Sequence, residues 1–503
     1  MPAHDSYDFV IVGGGTAGCV LAARLTEDEN LRVLLLEAGA ADLPDAVAYP
    51  PAWPTLANSP AGWGDLTVPQ RFSNAPVPLP RGRGLGGSSA INAMVFARGH
   101  HTSYDGWSNR GAKGWTYDDL LPYFQRSESA VSGAPGRGTA GPLTVGPTTR
   151  PNEILLACLD GAIEVGFPRA IDISGGLEDG FGPVDLNIVA GQRQSAADAY
   201  LTPALARPNL TVETGALAHR LLFESQRCTG VEYRVDGEIH RATATSEVVL
   251  TAGTIGSAQL LMRSGIGPET VLREAHVEVV HPLPGVGRNL HDHPRINLVH
   301  SSQRPVPTPQ ANHGEIIGLL RSDPHLTGPD VQIIFIDIPL PNPVAAVSNG
   351  FTIGVSPMLP VSRGSMRITS ADPSAPPVLD PGYFTAAADV EVVVAGIEAA
   401  REIAASAALA RWGVAEVAPG VDLTDRAMLG DYARRNFGSY CHPVGTCAMG
   451  EDAYSVVNSE LRVHGVEGLR IADGSVIPVI PSANTNATVY AIAERAAELL
   501  RPS

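Results

Sequence analysis

Nowhere in the chain does an uncharged apolar run reach the roughly 18 residues that a membrane-crossing helix needs, so membrane insertion is not expected. The start does not read as a secretory leader either. Its first apolar run, Phe9 to Val12, has acidic residues before it and glycines after it. Basic residues are few: 35 Lys and Arg stand against 52 Asp and Glu, a formal net charge of −17. So acidic a surface repels phosphate backbones and anionic headgroups, and nucleic acid is not an expected partner. Cysteine is scarce as well, five in 503 residues, an odd and mostly scattered set that suits reduced thiols in a cytoplasm better than a disulfide framework. No internal repeat recurs at a fixed period. What is present is globular material rich in turns, with 44% hydrophobic and 17% charged residues, 53 Gly and 42 Pro. At roughly 150 residues per domain the length allows two to four structural units, interleaved or in series.

The chain opens on a strand, a glycine turn and a helix. Tyr7 to Val12 is a short β-type run, Gly13-Gly14-Gly15-Thr16-Ala17-Gly18 follows at once, and Cys19 to Leu25 has helical periodicity. A second run, Leu31 to Leu36, ends at Glu37, nineteen residues past Gly18. This is the spacing of a dinucleotide-binding βαβ unit, whose acid holds a ribose 2′-OH. Gly13 permits the tight turn, Gly15 lets backbone N–H groups approach a pyrophosphate, and Gly18 lets the helix pack on the strand. Pro44 to Pro60 reads as loop. Val212 to Gly230 and Val231 to Val249 read as strands and hairpins, Asp330 to Ile338 and Phe351 to Val355 as further strands, and Ala386 to Trp412 as one or two amphipathic helices. Leu469 to Gly474 reads as a buried strand ending in Asp473, and Thr488 to Leu500 as a closing helix that could complete the sheet begun by residues 7–36.

A second glycine-rich loop, Arg81-Gly82-Arg83-Gly84-Leu85-Gly86-Gly87-Ser88-Ser89-Ala90-Ile91-Asn92, runs into Ala93-Met94-Val95. It resembles the first signature of the glucose/methanol/choline (GMC) flavin oxidoreductases, and Gly253 to Gly267 resembles the second, with Ala258 where Pro or Ser is usual. Further family-like stretches occur along nearly the whole chain, His442-Pro443-Val444-Gly445-Thr446 among them. The resemblance implies an α/β (α+β overall) fold: a Rossmann-like FAD-binding domain (1–155, 207–292 and 440–503) interleaved with a smaller substrate domain (156–206 and 293–439) built on an antiparallel sheet with helices.

It also implies FAD as cofactor. Gly13, Gly15, Thr16, Ala17, Gly18, Glu37 and Ala38 would hold its ADP half, and Ala218 would present backbone to the adenine. Arg83, Gly86, Gly87, Ser88, Asn92, Ala93, Met94 and Val95 would lie toward the flavin ring, with Ala252, Asp473, Gly474, Thr485 and Asn486 also against the cofactor. Asp473 has a second reading, as an acid capping the last helix. Ile91 stands where some members carry a flavin-linked His, so non-covalent FAD is expected. The reacting pair implied is His442 and Asn484. Imidazole, with an unperturbed pKa near 6.5, accepts a hydroxyl proton near neutrality; the Asn amide N–H steadies the oxygen; flavin N5 takes the hydride. The expected reaction is oxidation of an alcohol CH–OH to an aldehyde or ketone, with O2 or another acceptor reoxidising the flavin. A lyase of the hydroxynitrile-lyase kind and a non-catalytic flavin binder stay open on the same fold.

Neither Cys441-His442 with Cys447 nor His291-Asp292-His293 makes a good metal site, and none is expected. The second stretch reads as a structural or cofactor-adjacent turn. Pocket walls are expected from Trp53 to Trp63, Pro305 to His313, Gln332 to Pro343 and Phe437 to Tyr440, with Phe335, Phe437 and Tyr440 hinting at an apolar or aromatic alcohol.

Overall fold

Strand β1 (Asp5–Val12) and β2 (Val33–Leu36) flank helix α1 (Thr16–Leu25), and the apolar runs of both strands are almost fully buried, as parallel strands covered on both faces must be. The computed structural model describes residues 5–342 and 344–501. Pro44 to Pro60 is not plain loop. It holds short helical turns at Asp45–Val47, Pro50–Ala52 and Trp53–Leu56, the latter two opened by prolines whose fixed φ suits a first turn.

The chain then lends β3 (Gly180–Pro183) to a second sheet before it returns to the first with β4 (Leu210–Glu213), β5 (Leu217–Glu224), β6 (Arg227–Val235), β7 (Glu238–Leu250) and helix α2 (Gly253–Arg263). The second sheet is filled by β8 (Pro294–Ser301), β9 (Ile316–Leu320), β10 (Val331–Ile336), β11 (Gly350–Pro357) and, after helix α3 (Ala387–Ala404), β12 (Ala415–Ala418). Finally β13 (Leu469–Ile471) and helix α4 (Asn486–Leu499) rejoin the beginning. Sheet one has the order β4-β2-β1-β7-β6-β5, with β13 parallel to the end of β7, and α4 packs along α1. Sheet two is antiparallel, in the order β12-β8-β11-β10-β9-β3. The fold is thus mixed α/β, a doubly wound cofactor-type sheet beside an antiparallel one.

Alternation along sheet two decides which side chains can reach a ligand. Ile296, Ile333, Phe335 and Val355 face helix Glu153–Glu164 and α3, in one core. Ile317, Ile334 and Ile336 face the other way, into a core shared with Val95, Tyr440 and Ala483.

Candidate active site

The two glycine loops pack on each other. Gly86 N–H donates to the Gly14 carbonyl at 2.8 Å, and a Cβ on Gly87 (φ 52°) would sit 2.7 Å from the Gly15 Cα. Glu37, 6% exposed, ties them: its carboxylate accepts from the N–H groups of Gly14 (2.8 Å), Gly39 (2.8 Å) and Gly84 (2.9 Å). Burial raises its pKa, and those three N–H groups oppose the rise. Gly18 serves packing alone, since a Cβ there would fall 1.9 Å from the Gly13 carbonyl oxygen.

Beside the loops lies a groove of about 340 Å³, continuous through Thr16, Ser88, Cys441 and Thr485 with a cavity of about 250 Å³. Gly13, Gly15, Thr16, Ala17, Glu37, Ala38, Gly87, Ser88, Ala218, Ala252, Asp473, Gly474 and Thr485 line the groove. Asn92, Ala93, Val95, His442, Asn484 and Asn486 line the cavity. Gly18, Arg83, Gly86 and Met94 line neither; the Arg83 guanidinium lies 4.8 Å over the Trp63 ring instead. Asp473 does not cap α4. It accepts from Gly253 N–H (2.9 Å) and Ser257 Oγ–H (2.5 Å) at the start of α2, and from Ser475 N–H (2.8 Å).

The groove fits a dinucleotide. Gly15 has φ −76°, open to any residue, and a Cβ on it would come no nearer than 3.9 Å to protein, so neither backbone nor packing asks for glycine there. What a side chain would fill is the groove. The first N–H groups of α1 have no side-chain cap, and those of α4, beside Thr485 and Asn486, have none either; such free helix starts favour anions and carbonyl oxygens.

The cavity end is ordered by two segments running antiparallel, joined by paired hydrogen bonds between His291 and Val444 (3.2 and 2.9 Å) and by Tyr440 N–H on the His293 carbonyl (2.9 Å). Asp292 fixes both. One carboxylate oxygen accepts the backbone N–H of His293 and of His442, each at 2.8 Å, and the other accepts the hydroxyls of Ser439 (2.5 Å) and Tyr383.

A proton count along the histidines follows. His293 Nε2 lies 2.9 Å from the Met358 carbonyl, which only accepts, so Nε2 carries the hydrogen. Burial pushes the His293 pKa down to about 3, so the ring is neutral and its Nδ1 is a lone pair. His442 Nδ1, 2.9 Å away, must then be the donor, which leaves His442 Nε2 without a hydrogen. That nitrogen faces the Asn484 amide N–H at 3.1 Å. Burial, then His293, then Arg295 hold the His442 pKa well below its usual value. Asn484 Oδ1 has no hydrogen-bond partner among the described residues.

His291 is spent structurally, its Nδ1 on the Asn289 carbonyl (2.5 Å) and its Nε2 on Ile480 N–H (3.0 Å). Among the described residues no group of three or more His, Cys, Asp or Glu could hold a metal, and no helix is long and apolar enough to cross a membrane. The expected walls are corrected in part: Trp53, Asn312, His313, Ile334, Ile336, Ser439 and Tyr440 line the cavity, whereas Phe335 and Phe437 pack into the helix-facing core. Pro343 lies outside the described residues. Arg295 on β8 lines the cavity too and was not foreseen.

The family model described as GMC oxidoreductase matches residues 7–295, and a second of that description matches 360–493. The chain is similar to the mitochondrial choline dehydrogenase of Homo sapiens, 38% identical over 99% of this chain and 90% of that protein. An oxygen-dependent choline dehydrogenase of Photobacterium profundum is 36% identical over 99% of this chain and 93% of its own. Among solved structures, pyridoxine 4-oxidase from Mesorbium loti superposes with a TM-score of 0.93 at 34% identity, covering 98% of each chain. Matched in both halves by the family and by relatives along nearly its entire length, the chain belongs to the GMC oxidoreductases and is an FAD-dependent oxidoreductase of alcohols.

Proposed function

We propose that His442 and Asn484 are the reacting pair: His442 Nε2 takes the hydroxyl proton as an alcohol CH–OH becomes an aldehyde or ketone, and Asn484 steadies the same oxygen. The observation that carries this is the hydrogen-bonded chain from the Met358 carbonyl through His293, which leaves His442 Nε2 bare at the cavity wall. A histidine locked in that tautomer is ready to accept a proton. The Asn484 amide N–H meets the charge that builds on oxygen without changing its own.

FAD, held without a covalent bond by the groove residues Gly13, Gly15, Thr16, Ala17, Glu37, Ala38, Gly87, Ser88, Ala218, Asp473 and Gly474, would supply the hydride acceptor when bound. Ile91, apolar and at the cavity wall, offers no nucleophile for a flavin link. O2 or another acceptor would close the cycle. Residues 1–155, 207–292 and 440–503 would make the cofactor part and 156–206 with 293–439 the part closing on the alcohol, a division supported by the strands each sheet draws on. Five unpaired cysteines support a cytoplasmic setting. The relatives' names point to choline, but among the described residues this cavity wall has no Asp or Glu and carries Arg295, which would repel a quaternary ammonium. Its alcohol is therefore another one.

Anaerobic mixing of alcohols with the FAD-loaded protein tests the reading. Flavin bleaching is expected. His442→Ala should slow it about 10²- to 10⁴-fold, and Asn484→Ala about 10²- to 10³-fold. Release of aldehyde without bleaching would instead indicate a lyase. An unchanged bleaching rate in fully flavin-loaded His442→Ala would remove it as the base.

A further inference from the structure

We propose that the substrate is an alcohol carrying a carboxylate, and that Arg295 holds the carboxylate while His442 acts on the hydroxyl; this rests on the reading of the cavity as the alcohol site. Arg295 is the second residue of β8. Strand alternation turns its neighbours Ile296 and Leu298 into the helix-facing core and Arg295 to the other face, at the cavity wall. The backbone of Gly438 pairs with it there, so the strand that carries the guanidinium is locked to the segment leading into His442.

Among the described residues the guanidinium has no ion pair and donates no hydrogen bond, and its Nε is buried without a partner. Its neighbour is the Tyr440 ring, 5.2 Å from Cζ, and the Tyr440 ring centroid lies 4.6 Å from that of His442. The free cation therefore sits one aromatic ring away from the base. Two other arginines of the interior are instead paired with carboxylates. Arg98 pairs with Glu128 at 2.6 Å, and Arg137 with Glu128, Asp172 and Asp185 at 2.8, 2.7 and 2.6 Å. A buried guanidinium Nε without an acceptor is costly, so one kept at a ligand wall marks a partner that arrives with the ligand.

The cavity's charge inventory says which partner. Among the described residues no carboxylate lines it, and of its two histidines His442 is the base while His313 is already engaged by Asp337 (2.8 Å) and the Pro51 carbonyl (2.9 Å). A planar five-donor fork matches a carboxylate's two oxygens. The remaining walls, Trp53, Val95, Ile334 and Ile336 among them, are apolar, and a cavity of about 250 Å³, part of which the flavin ring would take, suits a compact ligand. A compact hydroxy acid with an apolar body meets all three conditions.

The test uses the FAD-loaded enzyme with 4-(hydroxymethyl)benzoate and its neutral isostere 4-methylbenzyl alcohol, and with 4-methylbenzoate as an acid without a hydroxyl to oxidise. The anionic alcohol should exceed the neutral one in kcat/KM by about 10- to 150-fold, the range for a charge-assisted bond. Arg295→Met should abolish that preference, measured as the ratio of the two alcohols' kcat/KM within the variant, and weaken calorimetric binding of 4-methylbenzoate by a similar factor. Arg295→Lys, charged but without the fork, should fall between. A native enzyme that favours the neutral alcohol or shows no preference, or 4-methylbenzoate binding indifferent to Arg295→Met, overturns the assignment. If neither alcohol bleaches the flavin while 4-methylbenzoate binding still depends on Arg295, the oxidation reading fails and the anion site stands.

Discussion

One carboxylate, that of Asp292, holds the backbone N–H groups of two histidines that lie 149 residues apart in sequence and 2.9 Å apart at their Nδ1 atoms. The bond between those rings sets which His442 nitrogen is bare, so His293 is a positioning residue. His293→Ala would free the His442 ring to take either tautomer, and bleaching by alcohol should slow, though less than in His442→Ala. Because the His442 pKa is lowered, chiefly by burial, its neutral form persists below its ordinary value near 6.5. The native rate should stay level as pH falls through neutrality and drop only well under 6.5. In His293→Ala, a rate and a pH profile identical to the native ones would remove the positioning role. His442 and Asn484 were legible because each sits in a local motif. His291-Asp292-His293 was legible only as a turn, because the tautomer argument needs the Met358 carbonyl and the His442 ring, both distant in sequence. Arg295 gave no local signal, since its meaning lies in partners it lacks.

Strand β10 illustrates what periodicity can and cannot deliver. Val331-Gln332-Ile333-Ile334-Phe335-Ile336 is buried at all six positions, so it reads as a strand without saying which face meets a ligand. Phe335, expected toward the alcohol, stacks on Phe181 with centroids 5.6 Å apart, under the helices, while Ile334 and Ile336 take the cavity side. Two substitutions on neighbouring residues should therefore separate stability from recognition. Phe335→Ala should cost about 3 to 5 kcal/mol of folding stability and leave KM for the alcohol unchanged in molecules that stay folded. Ile336→Ala should change KM. Urea melts and steady-state kinetics on both variants check this, and a KM shift in Phe335→Ala with none in Ile336→Ala would reverse the assignment of faces. The hairpins of β5 to β7 and the terminal β13 were legible from their β-type runs, because one apolar stretch with turn residues on each side suffices there. Pro44 to Pro60 was not, because proline both breaks a helix interior and opens a first turn.

At the scale of the molecule, the groove draws its walls from far-separated parts of the chain: Gly13 and Glu37 near the start, Arg81 and Ser88, Ala216 to Ala218, Thr251 to Gly256, Pro443 with Val444, and Asp473 with Gly474. A ligand that bridges them binds the folded chain and has nothing comparable to grip in the unfolded one. FAD should therefore stabilise the whole molecule by mass action, about 2.7 kcal/mol when free FAD stands 100-fold above its Kd. Two measurements on one preparation separate this effect from covalent attachment. Acid precipitation should leave the yellow colour in the supernatant, because Ile91 gives the flavin nothing to bond to. The apoprotein should then melt below the native enzyme, and its midpoint should climb steadily with the logarithm of added FAD. Colour that stays with the denatured chain would overturn the non-covalent reading. An apoprotein midpoint indifferent to added FAD would mean that the folded apoprotein does not bind FAD at those concentrations, and would overturn the reading of the groove as a ready FAD site.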